Sequence, residues 1–215
     1  MAIKPILFNT EMVRAILDGR KTCTRRLIRK HIENKYLEYD EWVRAVAPPG
    51  STYLREKEFY EKYPPYQPGD TLYVRETWSE GYEEGTYIYR ADDKLADLPT
   101  FKESSKLIYH PSIHMPKEAA RIWLKVTDVR VERLQDITED GALREGAQGM
   151  RCNHAALGVY GCTDCMNTGW IEPPQVEFMQ IWDATVKKSD INRYGWDANP
   201  YVWIIEFERC EKPEE

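Results

Sequence analysis

The chain has 215 residues, of which 42% are hydrophobic and 31% charged, and its net charge is −6. This length allows one domain with insertions or two small domains, and 7 Trp and 14 Tyr residues are more than disordered chains carry. The acidic balance argues against a protein that coats DNA, although a local site for an anionic ligand is compatible with it. No apolar run reaches the roughly 18 residues of a membrane span and the N-terminus has no apolar targeting segment, so we expect a cytoplasmic protein.

A basic stretch follows the first predicted helix. Ile6-Leu7-Phe8 predicts a first strand, Asn9-Thr10 predicts a helix N-cap, and Gly19 is typical of a helix end. Residues 20–31 contain six Lys or Arg and no Asp or Glu. Cations at a point where the chain leaves a helix can converge on a ligand, although such a group is more often a solvated face.

The remaining patterns predict an α+β fold. Strands are predicted at residues 72–78, 86–91, 120–134 and 201–208, and helices at 139–145 and from Pro173-Pro174 onwards. The alternation in 120–134 changes phase, which predicts a bend near Thr127-Asp128. Residues 32–46 are compatible with a helix and 51–66 with a surface excursion. Because strands and helices do not alternate regularly, we expect a small barrel or a strongly bent sheet rather than a doubly wound one.

Four of these pieces together resemble the ASCH domains of the PUA-like superfamily. They are Gly19-Arg20-Lys21-Thr22-x-Thr24-x-Arg26, Pro68-Gly69-Asp70 with Arg75-Glu76-x-Trp78, Leu134-x-x-Ile137-Thr138-Glu139 with Glu145-Gly146, and the last strand from Asn199-Pro200. The Trp196-Asp197 pair before that strand is similar to the long form carried by phages and prophages. The resemblance implies a single domain over residues 1–215, built on a PUA-like barrel of five to six strands with helices at its openings. Residues 32–66 and 150–170 are then insertions.

The resemblance also implies a cleft lined by the basic stretch, and an association with RNA and nucleosides. One small bacterial group of this family is an amidohydrolase that removes the acetyl group from 4-acetylcytidine with a Lys, a Thr and a Glu. In this sequence those roles fall on Lys21, Thr24 and Glu145.

These three residue types suit the hydrolysis of an amide. A threonine hydroxyl is a weak nucleophile that needs a base, and Lys21 can serve if burial or the neighbouring arginines favour its neutral form. Glu145 can protonate the leaving amine or hold a water. In an extended segment Lys21 and Thr24 face opposite ways, so they meet only across a turn or bulge.

Six further residues are predicted to bind the ligand: Arg20, Arg25, Arg26, Arg75, Glu76 and Trp78. The arginines can hold phosphate or carbonyl oxygens, and Trp78 can stack on a base. The alternative for Trp78 is a core tryptophan with an ion pair beside it.

The insertion at 150–170 contains Cys152-x-His154 and, after seven intervening residues, Cys162-x-x-Cys165. Four soft ligands in a short loop with several glycines suit a tetrahedral structural zinc ion. In a reducing compartment, clustered cysteines favour a metal over disulfides. The alternative is a polar loop with incidental thiols.

The sequence leaves three functions open. The first is recognition of RNA or a modified nucleoside, with amide hydrolysis by Thr24, Lys21 and Glu145. The second is a non-catalytic module that binds a nucleic acid or nucleotide, and the third is RNA cleavage in which Lys21 and Arg26 stabilise the phosphorane. None of the three needs a membrane, and the sequence does not decide whether the chain is an enzyme.

Overall fold

The computed structural model describes residues 1–28, 60, 64–93, 108–153, 165 and 169–213. The helix considered for 32–46 and most of the predicted insertion at 32–66 lie outside these residues. The described chain is a mixed α+β structure, which confirms the predicted class. No helix within the described ranges is both long and apolar enough to cross a membrane.

Nine strands are described, and five of them form the main sheet. In chain order the strands are β1 (Ile3–Leu7), β2 (Cys23–Leu27), β3 (Thr71–Arg75), β4 (Trp78–Glu80), β5 (Tyr87–Tyr89), β6 (Trp123–Arg133), β7 (Met150–Arg151), β8 (Trp170–Glu172) and β9 (Tyr201–Cys210). The main sheet has the order β1-β3-β6-β9-β2, and β4-β5 and β7-β8 are separate two-stranded sheets. β1 is parallel to β3, and β3 is antiparallel to β6. Over the described residues this order is linear and not a closed ring, so the sheet is established and the barrel stays a prediction.

The helices begin and end at the local signals that the sequence contains. They are α1 (Thr10–Leu17), α2 (Glu139–Arg144), α3 (Pro174–Thr185) and α4 (Ile191–Tyr194). The side chain of Asn9 accepts a hydrogen bond from the Met12 amide at 2.8 Å, and Gly19 follows α1 with a φ of +75°, which only glycine adopts at little cost. Thr138 caps α2 in the same way through the Gly141 amide at 3.0 Å. The predicted ends of both helices are confirmed.

The predicted strand at 72–78 is wrong in one respect, since it is interrupted. β3 ends at Arg75 and β4 begins at Trp78. Between them Glu76 turns its side chain to Arg121, a partner 45 residues away in sequence. Alternation along the chain does not reveal an ion pair of that separation.

The chain divides into two compact units. The first comprises Met1–Thr22, Tyr66–Asp128 and Glu206–Glu215, and the second Cys23–Pro65 and Val129–Ile205. The division inside β6 falls between Asp128 and Val129, next to the predicted bend at Thr127-Asp128. The burial pattern changes phase there, because Leu124 and Val126 are buried before it and Val131 after it.

Each unit contains its own cluster of buried apolar side chains. The cluster of the first unit consists of Trp78, Met115, Ala119, Ala120 and Trp123. The cluster of the second unit consists of Leu134, Ile137, Ala142, Ala147, Phe178, Trp182, Val186, Val202 and Ile204. In the second unit this packing fixes α2 against α3 and the first half of β9, and it thereby fixes the end of α2 where Glu145 lies.

Candidate functional site

Buried polar residues coincide with the residues that the sequence motifs single out. Seven of the described polar or charged residues are buried: Lys21, Thr24, Arg25, Asp70, Glu76, Ser79 and Glu145. All of these except Asp70 and Ser79 belong to the predicted catalytic and ligand-binding sets. Burying a polar group costs free energy, so such groups are kept where they are paired or where function needs them.

Arg25 and Glu145 form a buried ion pair in the second unit. Nη1 of Arg25 donates to Oε1 of Glu145 at 3.2 Å, and both side chains are about 95% buried, with 4% and 5% of their surface exposed. Arg25 extends from the middle of β2, and Glu145 is the C-terminal cap of α2. A strand and a helix that are 120 residues apart in sequence therefore bring one of the predicted binding residues to one of the predicted catalytic residues.

The alternation along β2 separates Thr24 from this pair. The thiol of Cys23 lies 4.0 Å from the carbonyl oxygen of Gly141 on α2, and Arg25 reaches Glu145 at the end of the same helix. Successive side chains of a strand point to opposite faces, so Thr24 projects away from α2. Thr24 is nevertheless only 2% exposed.

Lys21 is buried in the first unit, directly after α1. Its amide donates to the carbonyl of Ala15 at 3.0 Å, and its residue surface is 2% exposed. Nζ lies 5.6 Å from the centre of the Phe8 ring, a cation–π distance, and Phe8 in turn contacts Phe207 at 6.1 Å between ring centres. Lys21 thus belongs to the first unit, while Thr24 and Glu145 belong to the second.

The other two described basic residues of this stretch, Arg20 and Arg26, are more accessible. Nη2 of Arg20 lies 3.1 Å from Oδ2 of Asp18, and 37% of the Arg20 side chain is exposed. Arg26 is partly buried on β2. Over its described residues, the basic stretch therefore combines two buried basic side chains, Lys21 and Arg25, with two that are partly exposed.

Glu76 belongs to a network in the first unit. Nε and Nη2 of Arg121 donate to the two carboxylate oxygens of Glu76 at 2.9 and 3.0 Å, and Nη1 of Arg121 donates to Asp92 at 2.6 Å. The guanidinium also stacks on the Tyr89 ring at 3.9 Å. Burial raises the pKa of Glu76, and the hydrogen bond from Arg121 offsets part of that rise. Burial alone would lower the pKa of Arg121, but its bonds to Glu76 and Asp92 raise it above its ordinary value.

Arg75 and Trp78 also have internal partners. Arg75 donates through Nη2 to the carbonyl of Ile113. The Trp78 ring is 7% exposed and lies between Tyr87 and His110, with ring-centre distances of 5.6 and 5.3 Å. This environment corresponds to the core alternative considered for Trp78, and the ion pair beside it is that of Glu76 with Arg121.

The cysteines of the insertion lie in sequence between β7 and β8, which pair antiparallel as a hairpin. The Cys152 amide donates to the Gly169 carbonyl at 3.0 Å. Cys165 is buried, whereas the predicted ligands His154 and Cys162 lie outside the described residues. Among the residues that are described, no three His, Cys, Asp or Glu side chains converge as metal ligands.

Sequence reasoning missed three residues that shape these contacts: Asp92, Arg121 and Gly141. Arg121 and Asp92 pair with each other across 29 residues, and no local pattern connects them. Gly141 lies inside α2, where alanine would stabilise the helix more than glycine does. A glycine at such a position is the one sequence signal that another group packs closely against the helix there.

A comparison of the chain with protein-family models, with curated proteins and with solved structures finds no match. The resemblance to ASCH domains therefore depends on the four motifs alone.

Proposed function

We propose that this protein is an ASCH-type domain with a PUA-like barrel that recognises a modified nucleoside, free or within RNA, and that it hydrolyses the amide of an acetylated cytidine. The observation that carries the proposal is the burial of Lys21, Thr24 and Glu145. These are the three positions that the resemblance assigns to the amidohydrolase.

The net charge of −6 supports a nucleoside over a long stretch of RNA backbone as the ligand. Proteins that bind along a nucleic-acid backbone do so through a surface rich in exposed cations. Arg20 and Arg26, which are more accessible, suit a single phosphate of a nucleotide.

The proposed reaction uses the chain's own side chains. In this reaction Oγ of Thr24 bonds to the acetyl carbon of the substrate as the hydroxyl proton passes to a base, the role that the resemblance assigns to Lys21. The bond from that carbon to the cytidine N4 breaks, and N4 receives the proton from the base. Water then attacks the acyl carbon, and the bond from this carbon to Oγ of Thr24 breaks. Oγ takes one proton of the water, and acetate and the other proton leave. The resemblance assigns the third role to Glu145, whose carboxylate accepts a hydrogen bond from Arg25 and suits the task of holding a water.

The test is the release of acetate and cytidine from 4-acetylcytidine by the purified protein. We expect turnover by the wild type and a loss of at least about 100-fold in Lys21→Met and Thr24→Val, since general-base and nucleophilic groups contribute that much or more. Both replacements keep most of the side-chain volume, and circular dichroism shows whether they fold. The exposed Arg193→Met is the control and should keep full activity.

Other outcomes of the same experiment would replace this proposal. A wild type that is inert but binds RNA, with affinity that falls steeply as salt rises, would indicate a non-catalytic module. Shortening of RNA without added metal, lost in Lys21→Met, would indicate a ribonuclease.

We also propose that Cys152, His154, Cys162 and Cys165 hold a structural zinc ion. The hairpin supports this proposal because its paired base brings the two ends of the loop together, and because Cys165 is buried. A loop with little apolar core gains order from a tetrahedral ion.

A further inference from the structure

The glycine at position 141 of α2 lies close to the guanidinium of Arg25. An ideal Cβ at Gly141 would lie 3.3 Å from Nη2 of Arg25, 3.2 Å from Oγ1 of Thr138 and 3.3 Å from Cγ1 of Ile137. These distances are tighter than ordinary contacts, so a side chain there would push its neighbours away. The φ of Gly141 is not positive, so the backbone conformation does not require glycine. The constraint on this position is instead the lack of space, to which the guanidinium of Arg25 contributes together with Thr138 and Ile137.

The guanidinium of Arg25 is held from two helices. Glu145 at the end of α2 accepts from Nη1, and the Phe178 ring of α3 lies 5.6 Å from Cζ. Nε of Arg25 is buried and has no hydrogen-bond partner among the described residues. An arginine held mainly for the stability of the fold would be expected to have its buried donors satisfied. The hydrogen bond that the guanidinium does make is the one to the carboxylate of Glu145.

We propose that Arg25 is a positioning residue that fixes the carboxylate of Glu145, and that Gly141 is a glycine because it makes room for this arginine. The functional consequence rests on the proposed function, in which Glu145 holds the hydrolytic water. The contacts of Arg25 with Glu145 and Gly141 do not depend on that function. The sequence predicted that Arg25 binds the ligand directly, whereas in this proposal it acts through Glu145.

A double-mutant cycle on stability tests the geometric claim. Gly141→Ala should lower the urea midpoint of the wild type. In Arg25→Met it should lower the midpoint clearly less, or raise it, because the guanidinium is gone and alanine favours the helix. The control background Arg193→Met, an exposed arginine, should leave the full effect of Gly141→Ala in place. Equal losses in all three backgrounds would overturn the claim.

A spectroscopic measurement tests the positioning without any substrate. The side-chain carboxyl carbon of Glu145 is observed by NMR in protein labelled with 13C-glutamate, and its resonance is assigned by its loss in Glu145→Gln. It should move in Arg25→Met, move less in Arg25→Lys, and stay in place in Arg193→Met. A resonance that is the same in Arg25→Met and in the wild type would overturn the proposal.

Kinetics on 4-acetylcytidine then tests the consequence. Arg25→Met should lower kcat at least tenfold at a similar KM, and Arg25→Lys should recover part of the loss. In the Glu145→Gln background, Arg25→Met should cause little further loss, because it acts through Glu145. Additive losses would show that Arg25 acts directly and would overturn its positioning role. A wild type that neither binds nor cleaves 4-acetylcytidine would reject the proposed function, while the cycle and the NMR result would still decide the role of Arg25.

Discussion

At the scale of single residues, the basic stretch after α1 contains cations with different roles. Lys21 and Arg25 are buried, and Arg20 is partly exposed beside Asp18. The sequence identifies Arg20 and Lys21 because the Gly-Arg-Lys-Thr motif is local. It does not identify Glu145 as the partner of Arg25, since strand alternation predicts which side chains share a face but not what lies opposite them.

Glu76 gives a residue-scale prediction about pH. Its pKa is raised in the folded state, mainly by burial, so the folded protein holds this proton more tightly than the unfolded chain. Its contribution to the free energy of unfolding is therefore complete below the ordinary glutamate pKa of about 4.3. It is lost as the pH rises through the higher pKa of the folded state.

The measurement is the difference in free energy of unfolding between the wild type and Glu76→Gln, from urea titrations between pH 4 and pH 7. We expect the difference, wild type minus variant, to fall with rising pH, with a slope of at most about 1.4 kcal/mol per pH unit for one proton. The variant Glu80→Gln, at an exposed position, is the matched control. A rising difference for Glu76→Gln would mean that the ion pair with Arg121 outweighs burial.

At the scale of elements, the predictions that succeeded depend on signals within one turn or strand. The caps of α1 and α2 are carried by residues next to the helix, and the last strand by its own composition. The β7-β8 hairpin was missed, because strands of two and three residues are too short to show alternation. Just before β7, the carboxylate of Glu177 on α3 accepts hydrogen bonds from the amides of Gln148 and Gly149 at 2.7 and 2.8 Å, and such a contact between distant residues leaves no local pattern.

The hairpin leads to a prediction about metal content. Protein purified without chelator should carry about one zinc per chain, and Cys165→Ser should lower both the zinc content and the midpoint of thermal unfolding. Cys210→Ser, a cysteine on β9 outside the loop, should keep the metal. Less than about half an equivalent in the wild type would reject the zinc site and leave a polar loop with incidental thiols.

At the scale of the whole molecule, the sequence predicts the class but not the division into units. Neither unit is a continuous stretch of chain, and two of the points where the chain passes between them lie inside strands, in β6 after Asp128 and in β9 after Ile205. Alternation of apolar residues predicts a strand as one continuous element and does not show that its two halves pack in different units. Only the phase change near Thr127-Asp128 indicates that the two halves of β6 belong to different cores.

Strands shared in this way predict that the chain unfolds in a single transition. If one unit unfolds, its half of β6 or β9 unfolds with it, and this disrupts a strand that also belongs to the other unit. Tryptophan fluorescence and far-UV circular dichroism should therefore give the same urea midpoint. Leu124→Ala in the first unit and Ile204→Ala in the second, both fully buried, should each cost about 2–5 kcal/mol and lower that one midpoint. Ile108→Ala, at an exposed position, should leave it nearly unchanged. If either core variant instead produced two separate transitions, the units would be independent, and a strand that passes from one to the other would not be enough to couple them.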